Sequence, residues 1–129
     1  MSSRILIAED EEDIQTILTK FINSKFEAIV TSAKNGTEAL EKISSKKYDL
    51  LITDIRMPDM DGIQLITNIK KFPSENSPDH IWIMSGYINA DQVEILSNGN
   101  ITTFQKPLDL KILEENLLMI ISPKKKKKY

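Results

Sequence analysis

Five short apolar segments alternate with five amphipathic segments along this chain, and this alternation restricts the fold more than any other feature of the sequence. The apolar segments are typical of buried strands and cover residues 5–8, 28–31, 48–53, 81–84 and 101–105. The intervening segments place apolar side chains at helical spacing: Ile14, Ile17, Leu18, Phe21 and Ile22; Ala39, Leu40 and Ile43; Ile63, Ile66 and Ile69; Val93, Ile95 and Leu96; Leu110, Leu113, Leu117, Ile120 and Ile121. This order predicts an α/β fold with a parallel sheet covered on both faces.

Length and composition favour one soluble domain. The chain has 129 residues, enough for one core, and no cysteine for disulfides, thiol catalysis or zinc–thiolate sites. It has no secretory signal and no apolar run of membrane-spanning length, so we expect a cytoplasmic protein without membrane contact. The net charge is −2, and because the lysines at 124–128 contribute +5, the rest carries −7. An acidic body disfavours direct binding to nucleic acid.

Charged side chains follow three of the predicted strands at the point where each strand ends. Glu9 and Asp10 follow the first strand, Asp54 follows the third, and Lys106 follows the fifth. In open α/β sheets, ligands bind outside the carboxyl ends of the strands. The sequence therefore predicts a site in which Asp54 accepts a phosphoryl group with the help of a divalent metal.

Four segments together resemble the receiver domain of two-component response regulators. They are 5–11 (ILIAEDE), 54–62 (DIRMPDMDG), 85–86 (SG) and 106–107 (KP), in that order and each at a strand end. The resemblance covers residues 4–121. It implies a flavodoxin-like (βα)5 three-layer sandwich whose five parallel strands have the order 2-1-3-4-5. We assign residues 1–121 to this receiver domain and residues 122–129 to a basic, disordered C-terminal tail.

The resemblance also implies roles for individual residues. Asp54 would accept the phosphoryl group, Lys106 would hold one phosphoryl oxygen, and Ser85 would donate to another. Mg²⁺, or Mn²⁺ in its place, would be bound by Asp10, Asp54 and the backbone carbonyl of Arg56, with Glu9 acting through water. The peptide bond between Lys106 and the following proline is expected to be cis.

Three positions depart from the usual pattern of that family or vary within it. Many receivers have an aromatic residue three positions before the lysine, whereas this chain has Thr103 there and places Phe104 next to it. Strand alternation predicts that Phe104 points to the opposite face, into the core. Arg56 and Tyr87 occupy variable positions that tune hydrolysis in the family, and their size predicts slow loss of the phosphoryl group.

The function implied is a switch or relay module rather than an enzyme in the usual sense. It would catalyse its own phosphorylation from a sensor histidine kinase or a histidine phosphotransfer protein, and then change its contacts with a downstream protein. We expect a monomer that can dimerise when phosphorylated. Two alternatives remain: a receiver segment of a hybrid histidine kinase or longer regulator, and a metal-dependent phosphatase acting on small molecules.

Overall fold

Strands and helices alternate five times, as the apolar periodicity predicts. The computed structural model describes residues 2–96 and 99–125. The strands are β1 (Ser3–Ala8), β2 (Ala28–Ala33), β3 (Leu50–Asp54), β4 (His80–Ser85) and β5 (Ile101–Gln105). The helices are α1 (Glu12–Lys25), α2 (Gly36–Ser45), α3 (Gly62–Lys71), α4 (Ala90–Leu96) and α5 (Leu110–Leu117). None of the helices in these ranges is long and apolar enough to cross a membrane.

The five strands form one parallel sheet with the order β2-β1-β3-β4-β5, which confirms the predicted flavodoxin-like topology. Every residue of the central strand β3 is buried, because helices cover both faces of the sheet. One core lies between the sheet and α2, α3 and α4, and includes Leu51 and Ile83. The other lies between the sheet and α1 and α5, and includes Ile52 and Phe104.

Polar residues at the helix starts fix where the helices begin. Asp61 and Gln64 form a capping box at α3, in which each side chain accepts a hydrogen bond from the other residue's backbone N–H. Asn35 caps α2 and Asp109 caps α5 with the side chain alone, which accepts hydrogen bonds from backbone N–H groups in the first turn of the helix. Each helix follows a strand and runs back against it, so these starts lie at the carboxyl ends of the strands.

Two helices depart from the apolar stripes predicted for them. In α1, Leu18 and Ile22 are buried, but Ile17 is 56% exposed and lies along a groove beside Lys106. In α4, Leu96 is buried, whereas Val93 and Ile95 are exposed. A sheet surface covers only part of the apolar face of a helix that packs on it, so the apolar side chains at the margins of that face stay exposed.

The last helix is shorter than its apolar spacing predicts. It ends at Leu117, and the next turn is tightened by hydrogen bonds from Met119 N to Asn116 O and from Ile120 N to Leu117 O. Ile121 is nevertheless buried, because this turn returns the chain to the core. Helical spacing alone cannot separate a helix from a tight turn that buries the same side chains.

The chain after this turn is hydrogen-bonded to the start of β2. Glu27 N donates to Ser122 O at 3.0 Å and Lys124 N donates to Lys25 O at 2.7 Å, while Phe26 and Pro123 form an antiparallel bridge. Residues 122–124, which belong to the basic tail expected from sequence, are therefore hydrogen-bonded to the chain that precedes β2. Residues 126–129 of that expected tail lie outside the described residues.

Candidate functional site

The residues predicted from the strand ends lie together at one edge of the sheet. Asp54 is the last residue of β3, and Ser85 is the last residue of β4. Glu9 and Asp10 directly follow β1, and Lys106 directly follows β5. The parallel register aligns these ends, since Ala8 pairs with Thr53 and Ser85 pairs with Gln105. We call this the site edge of the domain.

Asp54 and Lys106 form an ion pair across the site. Lys106 Nζ lies 2.9 Å from Asp54 Oδ2, and Asp54 is only 7% exposed. The backbone also holds the lysine, because Lys106 N donates to Ser85 O at 2.8 Å. Burial lowers the pKa of Lys106, but the hydrogen bond and the charge of Asp54 outweigh it and raise the pKa above its usual value. The peptide bond that follows Lys106 is cis.

Three carboxylates at this edge could hold a metal ion. Glu9, Asp10 and Asp54 offer oxygen atoms that all lie within 4.8 Å of one another. Glu9 is completely buried, and its Oε1 has no hydrogen-bond partner among the described residues. Buried carboxylate oxygens are usually paired, and oxygen ligands of this kind suit Mg²⁺ or Mn²⁺. The unpartnered oxygen and the crowded charges fit a divalent cation.

The same burial changes the acidity of Glu9. Burial, the neighbouring Asp10 carboxylate and the charge of Asp54 raise the pKa of Glu9 from 4.5 to about 7. A carboxyl whose pKa is raised on folding stabilises the fold fully below pH 4.5, and loses this contribution as the pH rises to about 7.

We therefore expect the metal-free protein to lose stability between pH 4.5 and 7 because of Glu9. The free energy of unfolding of the wild type, relative to that of Glu9→Gln, should fall over this range by up to about 3 kcal/mol. Urea unfolding in the presence of a chelator measures both curves. Glu11→Gln, which changes an exposed neighbour, should keep the wild-type slope. Parallel curves for the wild type and Glu9→Gln would show that Glu9 titrates normally.

A cleft of 430 Å³ opens above the ion pair. Its lining includes the acidic loop after β1, the end of β3 and the loop after β4: Asp10, Glu11, Asp54, Ile55, Arg56, Ser85, Gly86, Tyr87 and Lys106. The buried Ser85 hydroxyl does not point freely into it, because Ser85 Oγ donates to Tyr87 O at 2.6 Å and accepts from Tyr87 N at 3.0 Å. Arg56 and Tyr87 are both exposed at the cleft.

Thr103 and Phe104 lie on opposite faces of β5, as strand alternation predicts. Phe104 is buried, and its ring centroid is 4.8 Å from that of Trp82 in the core. Thr103 is exposed and lines a 340 Å³ cleft with Ser85 and Tyr87. The position beside Ser85 that an aromatic ring would occupy therefore carries only a threonine.

Two residues that support the site were missed at the sequence level. The Gln15 amide in α1 donates to the carbonyls of Glu9 and Ala33, and so holds the start of the acidic loop against β2. Gly62 lies so close to β3 that a Cβ atom there would be 2.2 Å from Asp54 O. In the sequence Gly62 stands out only as the last residue of the segment 54–62, with no role of its own, and no sequence pattern marks Gln15.

The strand order and the helices on both faces define a flavodoxin-like domain, and comparison with known proteins then gives its family. The chain belongs to the response regulator receiver domain family, whose model matches residues 5–118.

Curated relatives place this domain in proteins of different lengths. The chain is 38% identical over 114 residues to the transcriptional regulatory protein ZraR of Klebsiella oxytoca, and 38% identical over 114 residues to the sensor protein EvgS of Escherichia coli strain K12. These matches cover 88% of this chain but only 25% and 9% of the two relatives. The sporulation initiation phosphotransferase F of Bacillus subtilis strain 168 is 32% identical over 111 residues, covering 85% of this chain and 86% of that relative.

Solved structures agree with the fold. The receiver domain of the Francisella response regulator 1452 superposes with a TM-score of 0.76 at 29% identity, covering 92% of this chain and 96% of that one. The chemotaxis protein CheY4 of Vibrio cholerae gives a TM-score of 0.79 at 20% identity, covering 94% and 100% of the two chains. At 20% identity, the similarity to CheY4 supports the fold alone.

Proposed function

We propose that this chain accepts a phosphoryl group on Asp54 from a phosphorylated histidine of a partner protein, and that the modified domain changes its contacts with a downstream protein. The observation that carries this proposal is the position of Asp54. Its buried carboxylate ends a central strand, pairs with Lys106 at 2.9 Å and lies within 4.8 Å of two further carboxylates. The donor would be a sensor histidine kinase or a histidine phosphotransfer protein.

The residues at the site edge divide the chemistry between them. Asp54 Oδ would attack the phosphorus as the bond to the donor nitrogen breaks, and Lys106 would hold a phosphoryl oxygen through a charge-assisted hydrogen bond. A divalent cation bound by Asp10, Asp54 and the Arg56 carbonyl, with Glu9 acting through water, would supply positive charge against the repulsion between the carboxylates and the phosphoryl oxygens. Phosphoryl transfer depends mainly on positioning and such charge neutralisation.

The donor histidine has to come from another protein. His80 is the only histidine, and it begins β4 at the edge of the sheet opposite Asp54. A partner helix could approach along the apolar groove of 310 Å³ that α1 and the segment after β5 form beside Lys106. The exposed Ile17 lies in this groove, next to Leu108 and Leu110.

The proposed function is tested by incubating the full chain with Mg²⁺ and a small acyl-phosphate donor, followed by intact mass measurement. One added phosphoryl group per chain is expected, and omission of the metal with a chelator should prevent it. A small donor has no protein surface, so the result tests the site without depending on the identity of the kinase. No mass change at any donor concentration would refute the proposal.

Replacing Asp10 with asparagine should weaken Mg²⁺ binding about tenfold or more, because a neutral amide replaces a charged oxygen ligand. Titration calorimetry measures the affinity directly, and labelling should slow in parallel. Asp13→Asn is the matched control, since it removes the same charge from the exposed first turn of α1. Equal affinities for wild type and Asp10→Asn would remove Asp10 from the proposed ligand set.

Loss of the phosphoryl group should be slow, because Arg56 and Tyr87 border the cleft through which water must reach the phosphorus in line with the aspartyl oxygen. The double variant Arg56→Asn, Tyr87→Glu should lose the group about tenfold faster, as followed by intact mass over time. Arg4→Asn, which removes a guanidinium at the opposite edge, should decay like the wild type. Unchanged decay in the double variant would contradict the blocking argument.

The change in contacts would begin at Ser85. Its hydroxyl is now bonded to the backbone of Tyr87, and a phosphoryl group on Asp54 would offer it a charged acceptor instead. When the Ser85 hydroxyl breaks its hydrogen bonds with the Tyr87 backbone, the loop after β4 would be released. With Thr103 in place of an aromatic ring, we propose that the signal passes through this loop to α4.

Two chain organisations fit this function. The chain spans only 25% of ZraR and 9% of EvgS, which supports a receiver segment within a hybrid kinase or a longer regulator. The 86% coverage of the phosphotransferase from Bacillus subtilis supports a relay protein of similar length. The proposed chemistry at Asp54 is the same in both.

A further inference from the structure

The edge of the sheet opposite the site is lined by lysines. Because every helix runs back against its strand, the helix C-termini lie where the strands begin. The last turns of α1, α2 and α3 are basic, and the first turns of α1 and α2 at the site edge are acidic, an arrangement that helix dipoles favour. We call this opposite edge the basal edge and define it by Lys25, Lys42, Lys70, Lys71, Lys124 and Lys125.

The lysine run at 124–128 starts from a fixed point on the basal edge. The bonds of Ser122 and Lys124 to the backbone of residues 25–27 hold its first residue beside the C-terminus of α1. Lys124 and Lys125 are both exposed. Lys124 and Lys125 therefore add two positive charges to an edge that is already basic, and their position comes from these backbone bonds.

Large apolar side chains are exposed at the same edge. Phe72 follows α3 and is 69% exposed, while Leu118 and Met119 follow α5 and are 52% and 82% exposed. The two helices lie on opposite faces of the sheet, so the apolar side chains belong to both outer layers. Both outer layers therefore expose apolar side chains beside basic residues at this edge.

We propose that the basal edge binds an anionic lipid surface. A flat surface can contact the ends of both helical layers at once, which a groove-bound peptide cannot. Lysines are attracted to anionic headgroups, and Phe72, Leu118 and Met119 can enter the boundary between headgroups and acyl chains. The phosphates of a nucleic acid could bind the lysines, but a nucleic acid offers no apolar phase in which Leu118 and Met119 would be buried.

Carboxylates at this edge weaken the attraction, and Glu27 and Asp49 lie there directly before β2 and β3. Lys47 pairs with Asp79 at 2.9 Å, and Lys25 pairs with Glu114 at 3.5 Å. The acidic site edge is distant, because strands of five or six residues separate the two edges by about 17–20 Å. This is roughly twice the screening length at physiological salt, so the acidic edge repels the lipid surface only weakly. Bound in this way, the domain would turn Asp54 away from the lipid.

The test uses co-sedimentation of the full chain with vesicles of phosphatidylcholine alone or mixed with phosphatidylserine. Binding is expected only to the mixed vesicles and should weaken as salt is raised. Lys124→Gln with Lys125→Gln should reduce the partition coefficient about 20-fold. The matched control, Lys34→Gln with Lys111→Gln, makes the same charge change at the site edge and should reduce it less than about twofold.

A second pair of variants separates lipid from other polyanions. Leu118→Ser with Met119→Ser should weaken vesicle binding about tenfold and leave binding to single-stranded polyuridylate unchanged. The proposal is overturned if wild type does not sediment with the mixed vesicles at low salt. It is also overturned, in favour of nucleic acid, if polyuridylate binds as tightly and the serine variant sediments like the wild type.

Discussion

Substituting Asp54 with asparagine should abolish phosphorylation while leaving the fold intact. An amide is a far poorer nucleophile than a carboxylate, and the substitution makes one of the three carboxylate ligands within 4.8 Å of one another neutral. The wild type should gain one phosphoryl group with Mg²⁺ and an acyl-phosphate donor, and Asp54→Asn should gain none in intact mass spectra. The asparagine oxygen can still accept from Lys106, so the local packing should persist.

The matched control for this experiment is Asp59→Asn. Asp59 is an exposed carboxylate in the loop that follows β3, five residues beyond Asp54 in the sequence. The Asp59→Asn variant should gain a phosphoryl group like the wild type, because Asp59 does not belong to the cluster formed by Glu9, Asp10 and Asp54. Full labelling of Asp54→Asn would place the phosphoacceptor elsewhere in the chain and overturn the proposed function.

The second large effect is expected from Gly62→Ala. A Cβ atom at Gly62 would lie 2.2 Å from Asp54 O and 3.0 Å from the Ile55 Cα, both backbone atoms that cannot rotate away. Either α3 must move outward, which breaks the hydrogen bond from Gly62 N to Ile55 O, or the end of β3 must shift. Overpacking of this kind costs about 3 kcal/mol or more, and the shift would also displace Asp54.

Urea unfolding measures the loss of stability in Gly62→Ala, and the labelling assay measures the displacement of the carboxylate. Gly86→Ala is the control, because a Cβ atom at Gly86 has no heavy atom within 4 Å. It should unfold within about 0.5 kcal/mol of the wild type. Equal stability of the two alanine variants would mean that α3 does not need its close approach to β3.

Much of the fold was predictable because strands and helices leave different periodicities in the sequence. Continuous apolar runs located all five strands, and Phe104 was correctly assigned to the core from strand alternation. The helical stripes located all five helices but overestimated what they bury. Ile17 belongs to the apolar stripe of α1 and yet is exposed, because periodicity reports the side chains available to a core and not the extent of the surface that covers them.

The candidate site was predictable for a similar reason. In a parallel sheet all strands end at one edge, so charged residues that directly follow different strands must come close together. Glu9, Asp10, Asp54 and Lys106 are adjacent in space for this reason, although Asp54 and Lys106 are 52 residues apart. The sequence by itself therefore determined the fold class, the edge that carries the charged cluster and the residues within it.

Only the tertiary structure decided how that edge is supported and what faces the opposite edge. The contacts of Gln15 with two carbonyls, the close approach of Gly62 to Asp54 and the bond between Ser85 and Tyr87 depend on distances between elements that no local pattern encodes. The same is true of the basal edge, where the path of residues 122–124 is fixed by backbone hydrogen bonds to residues 25–27. Backbone bonding is nearly independent of side-chain identity, so the sequence leaves this path undetermined until the packed helices fix it.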